Sequence, residues 1–166
     1  MPTAAKLTVG CDGVGIVARL HGHGTMRESP CFQRLVTEAL VGEPEAVMTV
    51  SLFDCDYLDS TFLGCLISLT KKFSLDEPPR FLLAADAEKR KLLFGSTCLD
   101  RVMKFADAEP ICSGDCVPLE TACLESREFA VHAAECHRRL AQAGGPQAAA
   151  FDRIAARLES ELATRG

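Results

Sequence analysis

The sequence predicts an α/β protein with a mixed, mostly parallel β-sheet, followed by a C-terminal α-helical hairpin. Three observations carry this reading. From residue 6 to residue 105, β-rich runs alternate with stretches of helical apolar spacing, which implies parallel strands joined by right-handed crossovers. Asp12-Gly13 falls between the first two strand-like runs and signals a hairpin, hence one antiparallel edge. Past residue 110 the composition shifts to Ala, Leu, Glu and Arg, and Gly144-Gly145-Pro146 divides two helical stretches. The expected organisation is an α/β domain over 1–110 and a helical extension over 111–166.

The elements follow in order. Residues 6–10 and 14–20 are the hairpin strands, and His21-Gly22-His23-Gly24 ends the second. Cys31 to Val41 is a helix, because Phe32, Leu35, Val36 and Leu40 recur at helical spacing; Pro30 suits its first turn, Ser29 its cap and Gly42 its end. Ala46 to Phe53 is a nearly continuous apolar run, the pattern of a strand buried on both faces. An acidic loop with Asp54, Asp56 and Asp59 leads into a helix from Thr61 to Phe73, with Leu63, Leu66, Ile67, Leu69 and Thr70 inward. Pro78-Pro79 interrupt the chain before a strand at Arg80–Ala85 and a helix at Ala87–Leu93. Leu99 to Phe105 is the last expected strand. Residues 119–142 and 147–163 form the helical hairpin, and Phe151, Ile154, Ala155, Leu158 and Leu162 fit one apolar stripe on its second arm. That stripe covers the chain's own domain or, alternatively, a partner or a second copy in a homodimer.

Composition narrows the function. The chain of 166 residues is 48% hydrophobic, enough for one domain with a core and a small appendage. A formal charge of −5, with no basic stretch, argues against nucleic-acid binding. Met1–Lys6 lacks an apolar export signal and no run approaches a membrane span, so a cytoplasmic chain without membrane insertion is expected. The nine cysteines are odd in number and irregularly spaced, the pattern of reduced thiols. Cys112-x-x-x-Cys116 would need His132, Cys136 or His137 to complete a zinc site, and the spacing is poor for one. No metal and no cofactor are expected.

An enzyme reading requires a nucleophile, a base and a pocket. His21 and His23 would serve as a base only if the sheet brought them beside Ser60. Gly10-x-x-Gly13-x-Gly15 is too loose for a dinucleotide fingerprint, and no nucleophile elbow or phosphate-cradling loop is present. The chain is therefore expected not to be an enzyme.

The informative stretch runs from Val50 to Leu66, a buried strand, an acidic loop and a helix start. Asp59 and Ser60 stand where capping oxygens are needed, and capping alone accounts for both. Leu58-Asp59-Ser60-Thr61, followed by Leu63 and Gly64, resembles the signature of STAS domains, in which a hydrophobic strand runs into an Asp-Ser-Ser-Gly-Leu-like turn opening the second helix. Lys89-Arg90-Lys91-Leu92-Leu93-Phe94 with Leu99 is similar to the family's third helix and its exit. The resemblance covers residues 6–108 and implies a STAS-like fold and a protein-binding role like that of anti-sigma factor antagonists. It implies Ser60 as a phosphorylation site for a partner anti-sigma factor or serine kinase, with Thr61 the second acceptor. Asp56, Asp59, Ser60 and Thr61 are the implied partner contacts, and Phe62 beside them is either an aromatic anchor in that interface or a side chain turned into the core. Phe62 stands where the family has glycine, Ser51 where it often has aspartate, and Thr25 where it often has an acid. A phosphate of about −1.5 to −2 charge is tolerated at a helix N-terminus, so modification would change surface charge and leave the fold intact. The alternative is a phosphorylation-independent scaffold or ligand-sensing module docking through its C-terminal helices.

Overall fold

The computed structural model describes residues 7–11, 15–75, 77–97, 99–106, 108–111, 116–119 and 125–164. The Asp12-Gly13 turn, Cys112 and Met1–Lys6 lie outside these residues. Strands β1 (Leu7–Cys11) and β2 (Ile16–Leu20) pair antiparallel with Leu7 opposite Leu20 and Cys11 opposite Ile16, the expected hairpin. β4 (Met48–Ser51) runs parallel to β2 and to β6 (Phe81–Ala84). Its Met48, Val50 and Ser51 are buried, as a strand covered on both faces requires. The sheet closes on the other side with β7 (Val117–Pro118), giving the order β6-β4-β2-β1-β7. The fold is thus mixed α/β.

Four local expectations are corrected. The stretch at 21–24 does not simply end β2: Gly22–Gly24 forms a separate strand, β3. Its partner is β5 (Cys55–Leu58), inside what the sequence predicts as a loop, and the two run parallel as a small second sheet. Leu99–Phe105 is not a strand. Leu99–Arg101 is a short 3-10 turn, because Leu99 and Met103, four residues apart, both face inward, and only Phe105 bridges to Leu83. Finally, β7 was not anticipated; it comes from the C-terminal side of residue 110, yet it joins the main sheet.

Helix α1 (Ser29–Gly42) and helix α2 (Ser60–Phe73) pack together, with Phe32 stacked on Phe62 at 5.3 Å between ring centroids and Phe81 at 6.4 Å from Phe32. The N-cap of α1 is Glu28 and not Ser29; its carboxylate turns back to accept from the Thr25 amide at 3.1 Å. α3 (Ala87–Phe94) starts at Asp86, whose carboxylate accepts from the Lys89 amide at 2.8 Å. The predicted helical hairpin is present as α4 (Ser126–Gln142) and α5 (Ala148–Thr164). Gly144 and Gly145 make the turn, with φ of 81° and 90°, values that side chains other than glycine rarely adopt. α4 rests on α2, and α5 rests chiefly on α4. Cys136, Leu140 and Phe151 from the hairpin join the main hydrophobic core. On α5 only Phe151 and Ala155 of the expected stripe are buried, while Ile154 is exposed. Among the described residues no helix is long and apolar enough to cross a membrane.

Candidate functional site at the start of the second helix

The junction between β5 and α2 concentrates the polar groups singled out by the sequence. Asp59 is the N-cap of α2. Its Oδ1 accepts from the Phe62 amide at 2.8 Å, and its Oδ2 accepts from the Met26 amide at 2.7 Å. One carboxylate therefore caps α2 and pins the loop that leads into α1. The capping requirement is met by Asp59, which leaves the Ser60 hydroxyl surplus to the helix.

That hydroxyl has a different partner. Ser60 Oγ lies 3.0 Å from Nε2 of His137 on α4. The other ring nitrogen, Nδ1, is 2.7 Å from the Ala133 carbonyl oxygen, which can only accept. In the neutral ring Nδ1 carries the hydrogen, so Nε2 accepts and Ser60 donates. His137 is buried, with its ring 6.2 Å from that of Phe151. A second serine–histidine pair lies further along the same helix. His132 Nε2 meets the hydroxyl of Ser29, at the start of α1, and sits 3.5 Å from the Cys136 thiol. Burial pushes His132 down to about 4 and the Cys136 thiol up to about 12, so both are neutral near pH 7. Burial likewise raises the Cys65 thiol, whose Sγ donates to the Ser29 carbonyl at 3.7 Å.

The hairpin approaches this closely because of Gly64. A Cβ there would lie 2.8 Å from the Cys136 Cα and would also strike that residue's carbonyl group. Glycine lets the backbones of α2 and α4 touch within one turn of Ser60.

The other expected site residues are distributed unevenly. Asp54 pairs with Arg19 at 3.4 Å and His21 at 3.7 Å, and Arg19 also holds Glu109 at 2.9 Å. Asp56 is exposed and faces Lys89 at 3.8 Å. The acidic stretch is thus partly neutralised by bases from β2 and α3. Phe62 and Thr61 do not belong to the surface. Phe62 is fully enclosed against Phe32 and Thr61 is buried, so neither offers the partner contact expected from the sequence. The exposed large hydrophobic residues at this end are instead Met26 and Tyr57, with His23 edge-on to Tyr57 at 5.6 Å. Sequence reasoning singled out His132 and His137 only as candidate metal ligands and gave no role to Met26 or Tyr57. Gly64 was visible as part of the motif, but its contact was not.

His21 pairs with Asp54 and His23 lies against Tyr57; the histidine hydrogen-bonded to Ser60 is His137 of α4. Two clefts flank the hairpin, of about 860 and 390 Å³. Ser60 lines neither, and His137 is oriented by a backbone carbonyl and not by a carboxylate. The Ser60–His137 pair therefore has no substrate space beside it in either cleft. No group of three or more metal-ligating side chains is assembled among the described residues. Comparison of the chain with protein-family models gives no match, and neither does comparison with curated proteins.

Proposed function

We propose that the chain is a protein-binding regulatory module of STAS-like type, resembling an anti-sigma factor antagonist, that is switched by phosphorylation of Ser60. The observation that carries the reading is the division of labour at α2. Asp59 satisfies the helix end, and Ser60, the first helical residue, is half-buried with a hydroxyl the helix does not need. A phosphate there would sit at the positive end of the helix, beside Asp56 and Asp59, without removing a capping bond. The surface gains negative charge while the helix stays capped, the property a charge switch needs. The natural partner is a serine kinase of the anti-sigma type that docks at the end carrying Ser60, Asp59 and Met26, with Asp56 and Tyr57 exposed on the adjoining β5.

The alternative, constitutive docking or a homodimer through the C-terminal helices, is less favoured because Phe151, Ala155 and Leu140 are already spent inside the molecule and Ile154 alone of the α5 stripe is exposed. The test is intact mass of the protein from its own cells, with capture of partners by wild type, Ser60→Ala and Ser60→Asp. One phosphate on Ser60, with a partner retained by the Ala form and lost by the Asp form, is the expected result. An unmodified Ser60, with the same partner on all three forms, overturns the switch.

A further inference from the structure

We propose that the α4–α5 hairpin is a detachable cover over the N-terminal face of α2, opening as a unit while the α/β body stays folded, and that this opening sets access to Ser60. The inference rests on the functional reading above for its consequence, but its physical content does not need a partner. Three features of the contact support it.

The first is that the hairpin touches both helix starts through its histidines. His137 accepts from Ser60 at 3.0 Å, and His132 meets Ser29. A kinase reaching Ser60, or a partner reading it, competes directly with His137 for the same oxygen. The second is the uneven fit. At Gly64 the backbones of α2 and α4 are in contact, whereas further along the same interface a cleft of about 860 Å³ separates them. Ser68, Lys71, Arg138 and Glu159 line it together with Leu69 and Val131. An interface that is in backbone contact at one end and leaves a cleft at the other opens at lower cost than a fully packed one. The third is connectivity within the fold. α5 packs chiefly on α4, so the two helices hold together as one body when α4 leaves α2.

Native thiols report the opening. Cys65 and Cys136 are sealed between α1, α2 and α4, while Cys55 is equally buried in the body, at the start of β5 opposite Gly22 of β3. The full chain is treated with N-ethylmaleimide under native conditions, and modified cysteines are mapped by mass spectrometry. Cys65 and Cys136 should react together, about tenfold or more faster than Cys55, because sub-global opening is more populated than global unfolding. Gly64→Ala should accelerate both by roughly another tenfold without changing Cys55, since the added methyl meets only backbone. Ser60→Ala removes just the hydroxyl given to His137 and guards against a Gly64 variant that fails to fold; it should accelerate the same pair by about threefold, the scale of one lost hydrogen bond. One common rate for the three thiols, in wild type and in Ser60→Ala, would overturn the cover and make the hairpin a permanent part of the core. That result leaves the Ser60 switch standing, whereas an unmodified Ser60 and an insensitive partner remove the switch and leave the cover.

Discussion

Asp59 holds two backbone amides with one carboxylate, and this makes its removal quantitative. In Asp59→Ala the Phe62 amide loses its cap, a loss of about 1 kcal/mol at a typical N-cap. The Met26 amide loses a carboxylate acceptor, worth about 1.5 kcal/mol at the lower end for bonds to charged groups, appropriate because Met26 is exposed. Interaction with the helix dipole adds about 0.3 kcal/mol at such a partly exposed end. The sum is near 3 kcal/mol, equivalent to a fall in melting temperature of roughly 6–12 °C for a chain of this size. Asp59→Asn keeps one acceptor oxygen and should lose only about half as much, since its amide nitrogen cannot accept. Urea unfolding of the three proteins gives the order wild type, Asn, Ala, with an unchanged m value. If the alanine variant stays within about 0.5 kcal/mol of wild type, the capping account of Asp59 is wrong, since exposed sites without such a role show changes of that size. The Ser60 hydroxyl would then no longer be surplus to the helix end.

Two further effects follow from buried polar groups. The Ser51 hydroxyl is fully buried on β4 and has no hydrogen-bond partner among the described residues; Ser51→Ala should therefore raise stability by about 1 kcal/mol, the desolvation cost of an unpaired hydroxyl, and a loss of stability in the same melt would show that the hydroxyl is in fact satisfied. His132 titrates at about 4 in the folded protein because burial disfavours its charged form, against about 6.5 unfolded. The unfolded chain then binds a proton that the folded chain does not, so stability is complete above pH 6.5 and declines as pH falls toward 4. Because the ring keeps some contact with solvent, the loss is about 1–2 kcal/mol and not the full value of the shift. The groups nearest it, Ser29 and Cys136, are uncharged in this range, and Arg34, Glu38 and Glu128 line the adjoining cleft. Urea midpoints at pH 7.5 and 5.0 should differ less in His132→Asn than in wild type, and an identical difference would refute the assignment.

The sequence was most legible where one force acts alone. Ala46 to Phe53 is a nearly continuous apolar run whose Met48, Val50 and Ser51 are buried, Asp59 is an N-cap before an apolar helix, and Gly144-Gly145 separates two helices; each has a local cause. β5 was illegible because Asp56 and Tyr57 both face solvent, which breaks the alternation expected of a half-buried strand. Its partner β3 consists of Gly22, His23 and Gly24, residues with weak strand preference, held by tertiary pairing. β7 is two residues, one of them proline, and only its register against Thr8 and Val9 reveals it. At the site, the position of Ser60 was legible but its environment was not. His137 is 77 residues away in the chain, and nothing local to either residue announces the bond. The direction of Phe62 is open in the sequence because an aromatic beside a surface motif carries no mark of which way it turns; its stacking on Phe32 decides that.

α2 explains why these features converge. Thr61 to Ile67 are seven consecutive buried positions, which no helix with a single inward face can supply. One side of such a helix is covered by the sheet and α1, and the other needs a second cover. In this molecule α4 provides it, and the fit is set by a glycine placed within the motif that also sets Ser60. A partner that displaces the hairpin would meet a face that is apolar along Gly64 and its neighbours and polar at Ser60 and Asp59. The apolar part would contribute affinity, and the polar end would let a single phosphate change it. The same residues that make α2 depend on a cover thus define what a competing partner must offer in its place.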